Sequence, residues 1–159
     1  MNYYEKGREK GDMFSLYAYE YLKANKNRIN KIETLGKKYK NGTITSDEKK
    51  ERGKLVLEKF SNYDKAYEIL KEFVAEKYPP ALYAKAKILQ NEDKAGEAFA
   101  IFNELYSVNK YYLGTFEMAF YEVNNQNFEK ALLYLEDGNY NESLIYAYKG
   151  YIYRQLKIY

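Results

Sequence analysis

The chain has 159 residues, 46% of them apolar and 31% charged, with a net charge of +3 and neither His nor Cys. That length suits one domain able to bury about 70% of its unfolded surface, and the composition is that of a globular protein. The two zeros remove disulfides, thiol nucleophiles, the usual soft metal ligands and the commonest general base, so any catalysis would have to run on carboxylates, Lys, Ser/Thr or Tyr.

The opening run, MNYYEKGREKGD, is polar and lacks the apolar centre of a secretory signal. No apolar run approaches the roughly 18 residues that span a bilayer. The expected address is therefore cytoplasmic, with no membrane partner. Residues 11–25, GDMFSLYAYEYLKAN, read as a first helix. A second is predicted from Arg28 to about Tyr39, with Ile29, Ile32, Leu35 and Tyr39 inward. Gly42 lies in the loop KNGTITSDE, which closes on a capping box of Thr45 with Glu48. A helix carrying Gly53 follows, then SNYDKAYEIL. Pro79 and Pro80 interrupt the chain and suit the first turn of a new helix, where Leu82, Ala86 and Leu89 form a stripe. After the polar break QNEDK, Ala98, Ile101, Phe102 and Leu105 form a second stripe, which makes the two segments a helical hairpin. QNFEKALLYL supplies the second helix of the next pair, and a last helix is predicted over about 140–158.

These segments repeat. Leu16-Tyr17-Ala18 returns as Leu82-Tyr83-Ala84, 66 residues later. Ala66, Ala98 and Ala131 are spaced 32 and 33 residues apart, each followed four residues on by Leu70, Phe102 or Leu135. Gly53, Ala86 and Ala119 are spaced 33 and 33, and Gly150 follows after 31. Small residues at fixed intervals let one helix approach its neighbour, while the large ones fill the space between pairs. A period near 33 marks stacked helical hairpins, because one hairpin cannot bury its own apolar face.

SNYDKA and NQNFEKA resemble the polar-aromatic-acidic-Ala turn that opens the second tetratricopeptide helix, and YKGYIY is similar to the Gly-x-x-Tyr of the first. YYEKGREKGD before LYAYEYL, and EFVAEKYPPALYAKA, resemble the junction of the longer Sel-type repeat. The register holds over residues 11–159, with Glu20 where the other units carry Gly or Ala. The fold this implies is all-α: a right-handed solenoid of stacked antiparallel hairpins, nine or ten short helices in one domain over 1–159. The units are 11–45, 46–78, 79–109 and 110–139, with an unpaired capping helix over 140–159.

In proteins of this resemblance the first helix of each pair lines a concave face. By register that face takes Tyr83, Lys87 and Gln90, then Phe116, Phe120 and Asn124, then Tyr151 and Arg154. The resemblance implies a non-catalytic module that binds a protein or peptide, as a monomer or homodimer, without cofactor or metal. The carboxylate clamp of some tetratricopeptide domains uses Lys and Asn on this face; Tyr83, Lys87, Phe116 and Phe120 do not reproduce it, although Lys87 and Arg154 could receive an acidic ligand. The 21 tyrosines read either as amphipathic core filler or as an aromatic groove.

Two further patterns carry chemistry. Residues 1–60 hold 15 Lys/Arg against 9 Asp/Glu, and residues 61–159 hold 11 against 14. If a helix over residues 28–39 buries Ile29, Ile32 and Leu35, then Arg28, Lys31 and Lys38 fan outward, and nucleic acid is the alternative partner. Glu92-Asp93 and Glu136-Asp137 are adjacent carboxylates at predicted turns, where solvated acids are usual. Nothing in the sequence sets their pKa values apart, as paired acid–base catalysis needs.

Overall fold

The computed structural model describes residues 11, 13–138 and 140–157. Eight α-helices run through them, with no strand among the described residues. In chain order they are α1 (Met13–Lys40), α2 (Ser46–Phe60), α3 (Tyr63–Leu70), α4 (Pro79–Asn91), α5 (Ala95–Ser107), α6 (Tyr112–Asn124), α7 (Phe128–Glu136) and α8 (Ser143–Gln155). A 3-10 turn, Lys71–Phe73, follows α3. Residues 3–10 and 12 of the first Sel-type junction, and residue 158 at the end of the last predicted helix, lie outside the described residues. The chain divides into two compact units, Met1–Ser61 and Asn62–Tyr159.

In the first unit, α1 packs on α2. The predicted separation between residues 25 and 28 does not occur, because α1 is one continuous helix of 28 residues. Asn25-Lys26-Asn27 is polar but contains neither Pro nor Gly, and Asn and Lys cost a helix interior well under 1 kcal/mol each, roughly. The chain turns instead at Gly42, whose φ of +68° only glycine adopts without strain. At 1.5 Å per residue α1 spans about 42 Å and the 15-residue α2 about 22 Å, so α2 can cover only part of its partner. Leu35 is accordingly buried, Ile32 and Tyr39 are half-buried, and Ile29, expected inward, is 48% exposed. The capping box forms: Thr45 Oγ1 accepts from the Glu48 N–H at 3.2 Å, and the Thr45 N–H donates to Glu48 Oε2 at 3.1 Å. The guanidinium of Arg52, buried on α2, lies 4.7 Å from the centre of the Tyr39 ring.

In the second unit each helix packs on the next, and α6 also meets α8. Pro79 and Pro80 occupy the first turn of α4. The α4 stripe of Leu82, Ala86 and Leu89 is buried, as are Ala98, Phe102 and Leu105 of α5. Ala119, Ala131, Leu135, Ile145 and Ile152 form one apolar cluster across α6, α7 and α8. Burying an aliphatic side chain of this size is worth about 1.5–3 kcal/mol.

The interval of 33 reappears in the backbone. α2, α4, α6 and α8 are followed by non-glycine residues in the left-handed region, Ser61, Asp93, Gln126 and Lys157, spaced 32, 33 and 31. Lys77, beyond α3, and Lys110, beyond α5, are left-handed too and lie 33 apart. The small residues are less uniform. Gly53, Ala86 and Ala119 are buried, but Gly150 is exposed and a Cβ there would meet nothing within 4 Å. A close approach between helices of this unit is at Gly114 of α6, where a Cβ would stand 2.5 Å from Cβ of Leu105 on α5.

Candidate functional site

Phe116, Phe120 and Asn124 recur at every fourth residue and share one face of α6. Met118 and Ala119, between them in sequence, turn into the core. The Phe116 and Phe120 rings stack with centres 6.1 Å apart. Clefts of about 410 Å³ open on either side of this ridge, and Phe120 and Asn124 line both.

The cleft between α6 and α8 is the more apolar. Besides the shared residues it is lined by Phe116, Val123, Leu144, Tyr148 and Tyr151. Its rings form a continuous series, with Phe116 to Tyr148 at 4.9 Å and Tyr148 to Tyr151 at 5.7 Å. The Tyr148 hydroxyl is buried without a hydrogen-bond partner, and burial, helped by Tyr151 and the Glu117 charge, pushes its pKa up to about 12.

The other cleft lies among α4, α5 and α6. Its walls are Gln90 of α4, Phe99 and Phe102 of α5, and Glu117, Phe120 and Tyr121 of α6. The Phe99 and Tyr121 rings meet at 4.8 Å. Three rings keep exposed faces, Phe99 at 37%, Phe120 at 43% and Tyr121 at 49%.

Glu117 is buried at the wall of this second cleft and ties α6 to α4. Tyr83 donates its hydroxyl to Glu117 Oε1 at 2.6 Å, and Lys87 Nζ donates to the same oxygen at 3.1 Å. Burial first, then the carboxylate's charge, holds the Tyr83 phenol well above its ordinary 10. Lys87 also sits 5.3 Å from the centre of the Tyr63 ring.

The eight residues predicted for a binding face therefore separate. Gln90, Phe116, Phe120, Asn124 and Tyr151 line the two clefts. Tyr83 is 3% exposed, and its ring is enclosed by Tyr63, Phe102 and Tyr111. It belongs to the core because its hydroxyl has an internal acceptor. Lys87 is engaged by Glu117, so its charge is already answered within the fold. Arg154 is exposed on α8 and lines neither cleft. Sequence reasoning passed over Phe99, Glu117 and Tyr121. Phe99 follows Ala98 and lies off the buried stripe of α5, which was a usable signal. The Glu117 pairing depends on a contact 34 residues away in sequence and left none.

Several of the tyrosines serve as amphipathic packing. Tyr106 donates to Asp137 at 2.7 Å, Tyr153 donates to Glu136 at 2.7 Å, and Tyr140 shares a 2.7 Å hydrogen bond with the buried Thr115. Each lays an apolar ring between segments and fixes it by the hydroxyl. The Asp137 bond, with lesser contributions from desolvation and charge, pushes Tyr106 up to about 12. The acid pairs at the turns are thus partly occupied: Glu136 and Asp137 accept from tyrosines, and Glu92 pairs with Lys94 at 2.9 Å.

On the basic first unit, Lys31 pairs with Glu51 and Lys38 with Glu48, while Arg28 donates to Asn25. No group of three or more acidic residues among those described could hold a metal ion, and no described helix is long and apolar enough to cross a membrane. Compared with protein-family models, with curated proteins and with solved structures, the chain finds no match in any of the three.

Proposed function

We propose that this chain is a non-catalytic recognition module, a right-handed solenoid of tetratricopeptide- or Sel-like hairpins that holds an extended or helical peptide along α4, α6 and α8. The left-handed residues that recur every 31 to 33 positions support the repeat reading. The observation that carries the binding role is the Phe120 ridge with a cleft on each side. Aromatic rings with exposed faces beside preformed clefts are how peptide anchors are received at little ordering cost. The α6–α8 cleft takes the larger apolar anchor, since its lining is aromatic and aliphatic with a single amide.

A displayed peptide library selected against the full chain supplies the ligand for the test. Phe120→Ser, at a residue 43% exposed, keeps the fold and weakens the selected peptide by more than about tenfold, a loss typical of an aromatic hot spot. Unchanged affinity in Phe120→Ser, or selection of no peptide at all, would overturn the assignment.

A further inference from the structure

The α4–α5–α6 cleft has a chemistry unlike that of its neighbour. We infer that it receives the basic side chain of an arginine or lysine on the bound segment, held between the faces of Phe99, Phe120 and Tyr121 and directed at the carboxylate of Glu117. This rests on the peptide-binding reading and adds the chemical identity of one anchor.

Three observations carry it. Aromatic faces bear negative charge density and attract alkylammonium or guanidinium groups, more strongly where water is excluded. The exposed rings of Phe99, Phe120 and Tyr121 supply such faces around one cavity. Second, Glu117 is the one charged residue among those lining the cavity, and Lys87 does not line it. The charged group that faces the cavity is therefore a carboxylate, with its Lys87 partner set behind it.

Third, Glu117 is satisfied on one oxygen only. Both of its hydrogen bonds, from Tyr83 and Lys87, end on Oε1, and Oε2 receives none among the described residues. Glu122, five residues on and also buried, shows the contrast. Lys130 approaches its Oε1 at 2.7 Å and Asn127 donates to its Oε2 at 2.9 Å, so that carboxylate is closed within the fold. A carboxylate oxygen left unanswered within the fold but open to an aromatic cavity suits a cationic guest. The side-chain amides of Gln90 and Asn124, on the same walls, add carbonyl acceptors for the outer N–H groups.

The test uses the full chain and N-acetyl methylamides of arginine, lysine, leucine and glutamate, followed by the ring resonances of Phe99, Phe120 and Tyr121. The arginine and lysine amides shift these rings saturably, while the leucine and glutamate amides do not. Glu117→Gln, which keeps an acceptor for Tyr83, weakens the arginine amide by about fivefold, the equivalent of about 1 kcal/mol. Tyr121→Ala, at a residue 49% exposed, weakens it similarly, with the fold checked by circular dichroism. No saturable shift with either basic probe, equal binding of the leucine amide, binding of the glutamate amide, or undiminished affinity in Tyr121→Ala overturns the inference. Basic probes that bind where the library yields no peptide leave this site standing and remove the larger reading. Selected peptides that lack a basic residue, with silent basic probes, do the reverse.

Discussion

Replacing Gly114 by Ala sets two effects of opposite sign against each other. In a helix interior the change gains about 1 kcal/mol of intrinsic propensity. In this fold the new Cβ would lie 2.5 Å from Leu105 Cβ and 3.0 Å from both the Leu105 carbonyl carbon and the Tyr106 nitrogen. Carbon atoms rest at about 3.5–4.0 Å, so α5 and α6 would have to part by about 1 Å. Neither a Cβ nor a backbone atom can rotate away, which places the cost near the top of the roughly 1–3 kcal/mol typical of overpacking. The net result is a loss of about 1–2 kcal/mol. At about 2–4 °C per kcal/mol for a chain of this size, the melting midpoint falls by about 2–8 °C. Gly150→Ala is the matched control: it is helical and exposed, and its Cβ would meet nothing within 4 Å, so only the propensity gain of up to about 1 kcal/mol acts. Urea unfolding followed by far-ultraviolet circular dichroism reads both. If Gly114→Ala stabilises the chain as Gly150→Ala does, the close approach of α5 and α6 is wrong.

Gln126, at φ +60° beyond α6, tests the left-handed turns. An L-residue there costs about 1–2 kcal/mol, and glycine returns part of the gain as unfolded-chain entropy. Gln126→Gly should raise stability by about 0.5–1 kcal/mol in the same unfolding assay, and no gain would show that the turn is unstrained. Acid titration tests the closed carboxylate. The Lys130 hydrogen bond foremost, then that of Asn127, holds Glu122 below its ordinary 4.5. Its contribution is therefore complete above about 4.5 and is lost as pH falls through the lower folded value. Melting midpoints of wild type and Glu122→Gln should differ most at neutral pH and converge in strong acid; a gap that persists there would remove the linkage.

Much of the helical framework could be read from spacing because polar breaks and buried stripes coincide in the second unit. Pro79, the QNEDK turn and the stripe ending at Leu105 all fall where α4 and α5 begin, turn and pack. The first unit was less legible. Asn25-Lys26-Asn27 has the polarity of a turn but no backbone reason to become one, so α1 continues to Lys40. Gly150 matched its register partners in sequence, yet no neighbour approaches it, whereas Gly114 carries the tight contact at an unremarked position. The site divided in the same way. Outward helix positions such as Phe120 and Tyr151 follow from periodicity. The inward turn of Tyr83 and the engagement of Lys87 depend on Glu117, whose placement beside α4 is a tertiary fact.

Because helices in the second unit lean chiefly on their neighbours in sequence, opening of the chain there need not be all-or-none. α8 touches α6 and α7, and its backbone can separate without disturbing α4 or α5. A molecule seated against Leu144, Tyr148 and Tyr151 would have to leave before α8 opens, so occupancy slows amide hydrogen exchange in that helix selectively. Occupancy at a hundred times the dissociation constant lengthens the exchange lifetimes there about a hundredfold. That local protection locates a ligand on the fold without any structure of the complex.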